Sequence, residues 1–143
     1  MKIALAQLNF TVGDIKANSE KIISAINSAK EAGADLVVFA LYPHIFKKWI
    51  EENQQYFKSG AVITDVTGVK GSVVDKVQSI LRSDVEYIPA HPMAGRESSG
   101  GEYSDPNVFK GANYIVTPTD KNSREAVETC KELGRILGFG NET

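Results

Sequence analysis

Leu36-Val37-Val38-Phe39-Ala40, set between Asp35 and Leu41-Tyr42-Pro43, is apolar at every position. A strand with no polar alternation is buried on both faces, which is the habit of a parallel sheet covered by helices. Pro43 then suits the start of a helix, where a missing N–H costs nothing. Upstream, the spacing predicts a helix from about Asn18 to Ala32, with Ile22, Ile23, Ile26 and Ala29 on one face. Asn18 is its expected N-cap, Glu20 suits its positive end, and Gly33 is its stop.

The same alternation of strand and helix continues outward. Strands are expected over Lys2–Leu8, Asp35–Leu41, Ala61–Thr64, Glu86–Ala90 and Asn113–Thr117. The helix from Pro43 offers Ile45, Phe46, Trp49, Ile50 and Phe57 to the core. A third follows Gly68, with Val73, Val74, Val77, Ile80 and Leu81 inward. Ser123 caps a last helix that ends near Gly138, with Val127, Cys130, Leu133 and Leu137 inward. Gly95–Gly111 is polar and glycine-rich and reads as a surface loop. The whole predicts one α/β domain over residues 1–143: a mainly parallel sheet of about five strands joined by crossover helices.

Composition narrows the function. The chain has 143 residues, 42% hydrophobic and 24% charged, with a formal net charge of -2. That charge gives no reason to expect nucleic acid or an anionic membrane as a partner. No apolar run approaches the roughly 20 residues that cross a bilayer. The start, Met1-Lys2-Ile3-Ala4-Leu5-Ala6, breaks at Gln7 with no cleavage site after it, so it reads as a strand and not as a signal peptide. The single cysteine, Cys130, excludes an internal disulfide and a cysteine metal cluster, and suits a reducing cytoplasm. No metal-ligand spacing is present.

An open parallel sheet binds ligands at the carboxyl ends of its strands. Three segments should arrive there: Ala40-Leu41-Tyr42-Pro43, Asp65-Val66-Thr67-Gly68-Val69-Lys70-Gly71 and His91-Pro92-Met93-Ala94-Gly95-Arg96-Glu97. His91 can serve as general acid or base there; the plainer reading is a hydrogen-bonded loop histidine. Lys70 lies in a first helical turn, where free N–H groups attract anions; the plainer reading is a solvated lysine. His44 is expected to be solvated and Cys130 to be core. A dinucleotide site needs Gly-x-Gly-x-x-Gly after the first strand. Here that turn reads Asn9-Phe10-Thr11-Val12-Gly13-Asp14-Ile15-Lys16-Ala17, with one glycine and an aspartate that repels phosphate.

Two resemblances cover different stretches. From about residue 40 onward the chain resembles prephenate dehydrogenase. It does so through Ala40-Leu41-Tyr42-Pro43, Thr64-Asp65-Val66-Thr67-Gly68-Val69-Lys70-Gly71, the His91–Glu97 motif with Ser99-Gly100, and Phe109–Thr119. Residues 1–39 are similar to the opening of the nitrilase-type glutaminase domain of NAD synthetases, through Met1–Asn9, Thr11–Ile15 and Gly33–Phe39. Together they imply a chimera joined near Phe39 and Ala40, with a Rossmann-like domain as its product. The dehydrogenase resemblance implies that His91 meets the ring hydroxyl of prephenate. It also implies that Leu41, Tyr42, Pro43, Thr67 and Gly68 descend from cofactor-binding positions; some members of that family carry serine where this chain has Gly68. The nitrilase glutamate is absent, since Ala40 and Leu41 stand in its place, and Cys130 lies outside the matching stretch. The family's helical domain is expected to be missing.

The expected function is therefore a chimeric domain without catalytic activity, with no cofactor. The alternative is a residual binding module for NAD, NADP or an aromatic acid near Tyr42, Thr67 and His91. A working dehydrogenase, converting prephenate to 4-hydroxyphenylpyruvate, is the remotest reading. Right-handed crossovers in simple strand order put the early helices on one face and leave the other bare. From that bare face follows an expectation of self-association, as a homodimer or by element exchange. A flavodoxin-like order with helices on both faces is the alternative.

Overall fold

The computed structural model of the chain describes residues 10–95 and 105–142, together with residues 2, 4, 6 and 8. One sheet of five strands runs in sequence order. Its members are β1 (Leu36–Phe39), β2 (Val62–Asp65), β3 (Glu86–Met93), β4 (Asn113–Val116) and β5 (Asn141–Glu142). β1, β2 and β3 are parallel. β4 turns back antiparallel to β3, with Ala90 opposite Val116, and β5 runs parallel to β4. Four helices accompany them: α1 (Ile15–Glu31), α2 (Pro43–Asn53), α3 (Gly71–Ile80) and α4 (Arg124–Leu137). The α/β class and the mainly parallel sheet agree with the sequence. Of the strand expected over 2–8, residues 3, 5 and 7 lie outside the described residues, and Lys2, Ala4, Ala6 and Leu8 are not in the sheet. Lys2 does lie beside the amino end of β1. Its backbone N–H donates to the Asp35 carboxylate at 2.7 Å, and the Asp35 N–H donates to the Lys2 carbonyl at 3.2 Å.

Reversal at β4 corrects the expectation of a bare face. Successive residues of a strand point to opposite sides. Phe39, Ile63 and Tyr87 enter one core with Phe46, Trp49 and Ile50 of α2 and Val73 and Val77 of α3. Ile22, Ile23 and Ile26 of α1 pack against that same core. Leu36, Val62, Ile88, Tyr114 and Val116 enter a second core with Ala126, Cys130 and Leu133 of α4. Handedness explains the division. The chain steps across the sheet in one direction throughout, but β4 and β5 point the other way. A right-handed crossover between them must then lie on the opposite face. Helices are thus mostly on one face, and α4 covers the other. α4 packs on β2, β3 and β4. On β1 the second face keeps Val38 44% exposed, so the strand is not buried on both sides throughout.

Helix ends show the local causes. α1 starts before Asn18, because the Asp14 carboxylate accepts the Ala17 N–H at 3.0 Å and caps it. Asn18 instead accepts from Thr11 N–H and donates to the Thr11 carbonyl, tying down the preceding turn. Ser123 caps α4 by accepting the Ala126 N–H at 3.1 Å, and Gly138, with φ of 82°, ends it in the left-handed conformation. Gly134 lets α4 sit close to the sheet: a Cβ there would lie 2.7 Å from the Tyr114 ring. Leu137 and Ile45, both expected inward, are 40% and 41% exposed. Residues 96–104 of the expected loop lie outside the described residues; Pro106–Phe109 form a 3-10 turn, and Phe109 packs on Phe139 with ring centroids 5.1 Å apart. No helix among the described residues is long and apolar enough to cross a membrane.

Arg82 clips the loop before β3 to the end of α2. Its guanidinium donates to both Asp84 carboxylate oxygens, at 2.9 and 2.8 Å, and to the Gln54 carbonyl at 3.0 Å. The Arg82 hydrogen bond, and then that of Ser59, hold the Asp84 carboxyl at about 2, below its ordinary 3.8. A carboxyl depressed by folding adds stability above its unfolded value and loses it as pH falls through its folded value. The denaturant midpoint should therefore fall as pH is lowered from about 4 to about 2. Asp84→Asn should remove part of that fall; an unchanged pH profile in urea titrations would show that the clip contributes nothing.

Candidate functional site

The carboxyl ends of β2 and β3 meet around Asp65. This residue closes β2 and is 1% exposed. A buried carboxylate is tolerated only when paired and hydrogen-bonded. Asp65 Oδ1 accepts from Lys70 Nζ at 2.7 Å and from the Tyr87 hydroxyl at 2.7 Å. Asp65 Oδ2 accepts from the Thr67 N–H at 3.1 Å and from the Thr67 hydroxyl. Tyr87 reaches it diagonally, because Asp65 lies opposite Pro89 on β3, two residues further along. Burial, and then the Asp65 charge, push the Tyr87 phenol above its ordinary range, so it stays a donor.

Lys70 is not the solvated lysine of the plainer reading, nor a free anion receptor. Its Nζ also donates to the Ala90 carbonyl at 2.5 Å, so one ammonium joins the end of β2 to β3 beside His91. Burial lowers its affinity for the proton, and the hydrogen bond to Asp65 opposes that effect.

His91 follows Ala90 in β3, and its Nδ1 lies 3.1 Å from the Val66 carbonyl. A carbonyl only accepts, so in the neutral ring Nδ1 carries the proton and Nε2 keeps a bare lone pair. Gly68 flanks the ring: a Cβ there would lie 3.4 Å from Cε1 and 3.5 Å from Nε2. The absent side chain leaves room beside Nε2. Thr67, Gly68 and His91 are thus brought together by the β2–α3 loop. Leu41 packs against the first core and Pro43 opens α2. Tyr42 stands apart, 76% exposed, with its ring stacked on that of the exposed His44 at 6.2 Å. Asp65 and Tyr87 were not candidate site residues on the sequence. The signal was present in an acid two places after the apolar run Ala61-Val62-Ile63.

The turn ahead of α1 does not fit a pyrophosphate. Its helix N-terminus is already served by a carboxylate, since Asp14 takes the Ala17 N–H. A phosphate would have to displace that oxygen and face its charge. Cys130 is buried core, as expected, 3.5 Å from the Tyr114 hydroxyl and 3.6 Å from that of Thr64. Burial raises the thiol above its ordinary value. Among the described residues no cluster of side chains could hold a metal ion.

The chain matches the family model described as prephenate dehydrogenase, nucleotide-binding domain, over residues 6–138. It is 32% identical over 130 residues to the prephenate dehydrogenase of Bacillus subtilis, covering 91% of this chain and 33% of that protein. It is 33% identical to the glutamine-dependent NAD(+) synthetase of Thermotoga maritima, covering 93% of this chain and 26% of that protein. Each of these matches runs through residues 39 and 40. Among solved structures, prephenate dehydrogenase from Aquifex aeolicus in complex with hydroxyphenyl propionate and NAD+ superposes with a TM-score of 0.69 at 26% identity. It covers 90% of this chain and 49% of that one. The chain spans about a third of the length of the curated dehydrogenases it matches. With its Rossmann-like α/β sheet, it belongs to the prephenate dehydrogenase family, as a nucleotide-binding domain.

Proposed function

We propose that this domain is a binding module for a hydroxyphenyl acid, held at the carboxyl edge of β2 and β3 by the bare Nε2 of His91. One observation carries the reading: the Val66 carbonyl takes the Nδ1 proton, so Nε2 is left as an acceptor. A phenolic hydroxyl is a donor of matching type, and the space beside Gly68 admits it. The Aquifex aeolicus relative, crystallised with hydroxyphenyl propionate and NAD+, supports the ligand class. NAD or NADP binds weakly by this reading, because Asp14 occupies the helix end that a pyrophosphate would use. Turnover by this chain alone is not expected, since an enzyme of this kind gains its rate by positioning both reactants.

Calorimetric titration tests it. Hydroxyphenyl propionate should bind, His91→Phe should weaken it by about tenfold or more, equal to about 1.4 kcal/mol, and NAD+ should bind less tightly. Equal binding by the parent and His91→Phe would sink the assignment.

A composite origin for residues 1–39 is a separate proposal; it rests on the likeness to the Thermotoga maritima NAD synthetase, which, like the dehydrogenase match, extends across residues 39 and 40. A single natural reading frame running across the codons for Phe39 and Ala40 in several independent genomes would overturn a laboratory join.

A further inference from the structure

The structure assigns Asp65, Thr67 and Lys70 a positioning role: together they lock His91 in one tautomer by fixing the two carbonyls that bracket it. Val66, whose carbonyl receives Nδ1, sits between Asp65 and Thr67, and those two are joined by two hydrogen bonds. Its own N–H is held by the Phe39 carbonyl at 3.1 Å. The other carbonyl is that of Ala90, immediately before His91, and Lys70 Nζ ties it to Asp65. Tyr87 adds a third donor to the same carboxylate from within β3. The Val66 oxygen therefore cannot swing away from His91 without breaking the Thr67 contacts. The peptide leading into His91 cannot move without breaking those of Lys70. Partners that orient a histidine in this indirect way commonly set its tautomer.

The consequence for binding rests on the reading of His91 as the ligand's acceptor; the tautomer itself does not. Two histidines, His44 and His91, make the imidazole nitrogens easy to follow by NMR. In its neutral ring, followed in alkaline buffer, His91 should show a protonated Nδ1 and a bare Nε2. Exposed His44 supplies the averaged pattern of a solvated ring. Thr67→Val should shift His91 toward the His44 pattern and weaken hydroxyphenyl propionate by about tenfold, and Thr67→Ser should restore both. Lys70→Gln should shift the pattern in the same direction. A folded Thr67→Val or Lys70→Gln whose His91 nitrogens match the parent overturns the positioning role. If the nitrogens respond while no variant, nor the parent, binds the ligand, the binding proposal falls and the positioning role stands.

Discussion

Asp65→Ala is expected to lower the unfolding free energy by about 3–5 kcal/mol, the cost of leaving a buried ion without its partner. The substitution strands several groups together. Lys70 Nζ, on a side chain only 17% exposed, keeps the Ala90 carbonyl alone. The Tyr87 hydroxyl, on a residue 1% exposed, loses its acceptor, and Thr67 loses the anchor of its loop. Domain stabilities of about 5–15 kcal/mol leave little margin for such a loss. Urea denaturation with an unchanged slope would measure it. Asp65→Ala combined with Lys70→Met should recover a large part, because the unpaired charge is then gone. A double variant as unstable as the single one would show that the loss comes from the hydrogen bonds and not from the charge.

Phe46→Ala should cost a similar amount, about 3–5 kcal/mol, by opening a cavity under α2. Phe46 is 0% exposed, with its ring 5.1 Å from that of Phe39 and 5.6 Å from that of Tyr87. Phe39 in turn meets Trp49 and Phe57, so one deletion loosens a connected set of rings. Neighbouring Ile45, 41% exposed, provides the control: Ile45→Ala should cost well under about 1 kcal/mol. Comparable losses at both positions in chemical denaturation would contradict this placement of α2.

Much of this architecture was legible because strong patterns sit on buried elements. The run at Leu36–Phe39, the spacing of Phe46, Trp49 and Ile50, and that of Val73 and Val77 each have a single low-energy use. Weak patterns misled. Asn18 and Asp14 are equally good caps, and only the turn geometry selects Asp14. Nothing in Asn113-Tyr114-Ile115-Val116 states which way β4 runs, yet that direction decides which face α4 covers. β5 is two polar residues, Asn141 and Glu142, and no composition reveals that they pair with β4. At the site, the segments that arrive at the sheet edge followed from topology, and His91 from its type. The role of Lys70 did not, because a lysine in a first turn is ordinarily solvated. Its partner is set by the strand register that brings Ala90 beside Asp65.

Strand order also has a consequence for how the chain is made. Each strand pairs with the one synthesised just before it, so the sheet can grow outward from β1 as residues emerge. Pairings between neighbours in sequence close short loops, and short loops form fast. Cover for the second face, however, comes chiefly from α4, Arg124–Leu137. Until that helix has left the ribosome, Val62, Ile88 and Tyr114 face water on a sheet whose other side is already sealed. The aggregation risk of the domain is thus concentrated in the interval before Arg124–Leu137 emerges.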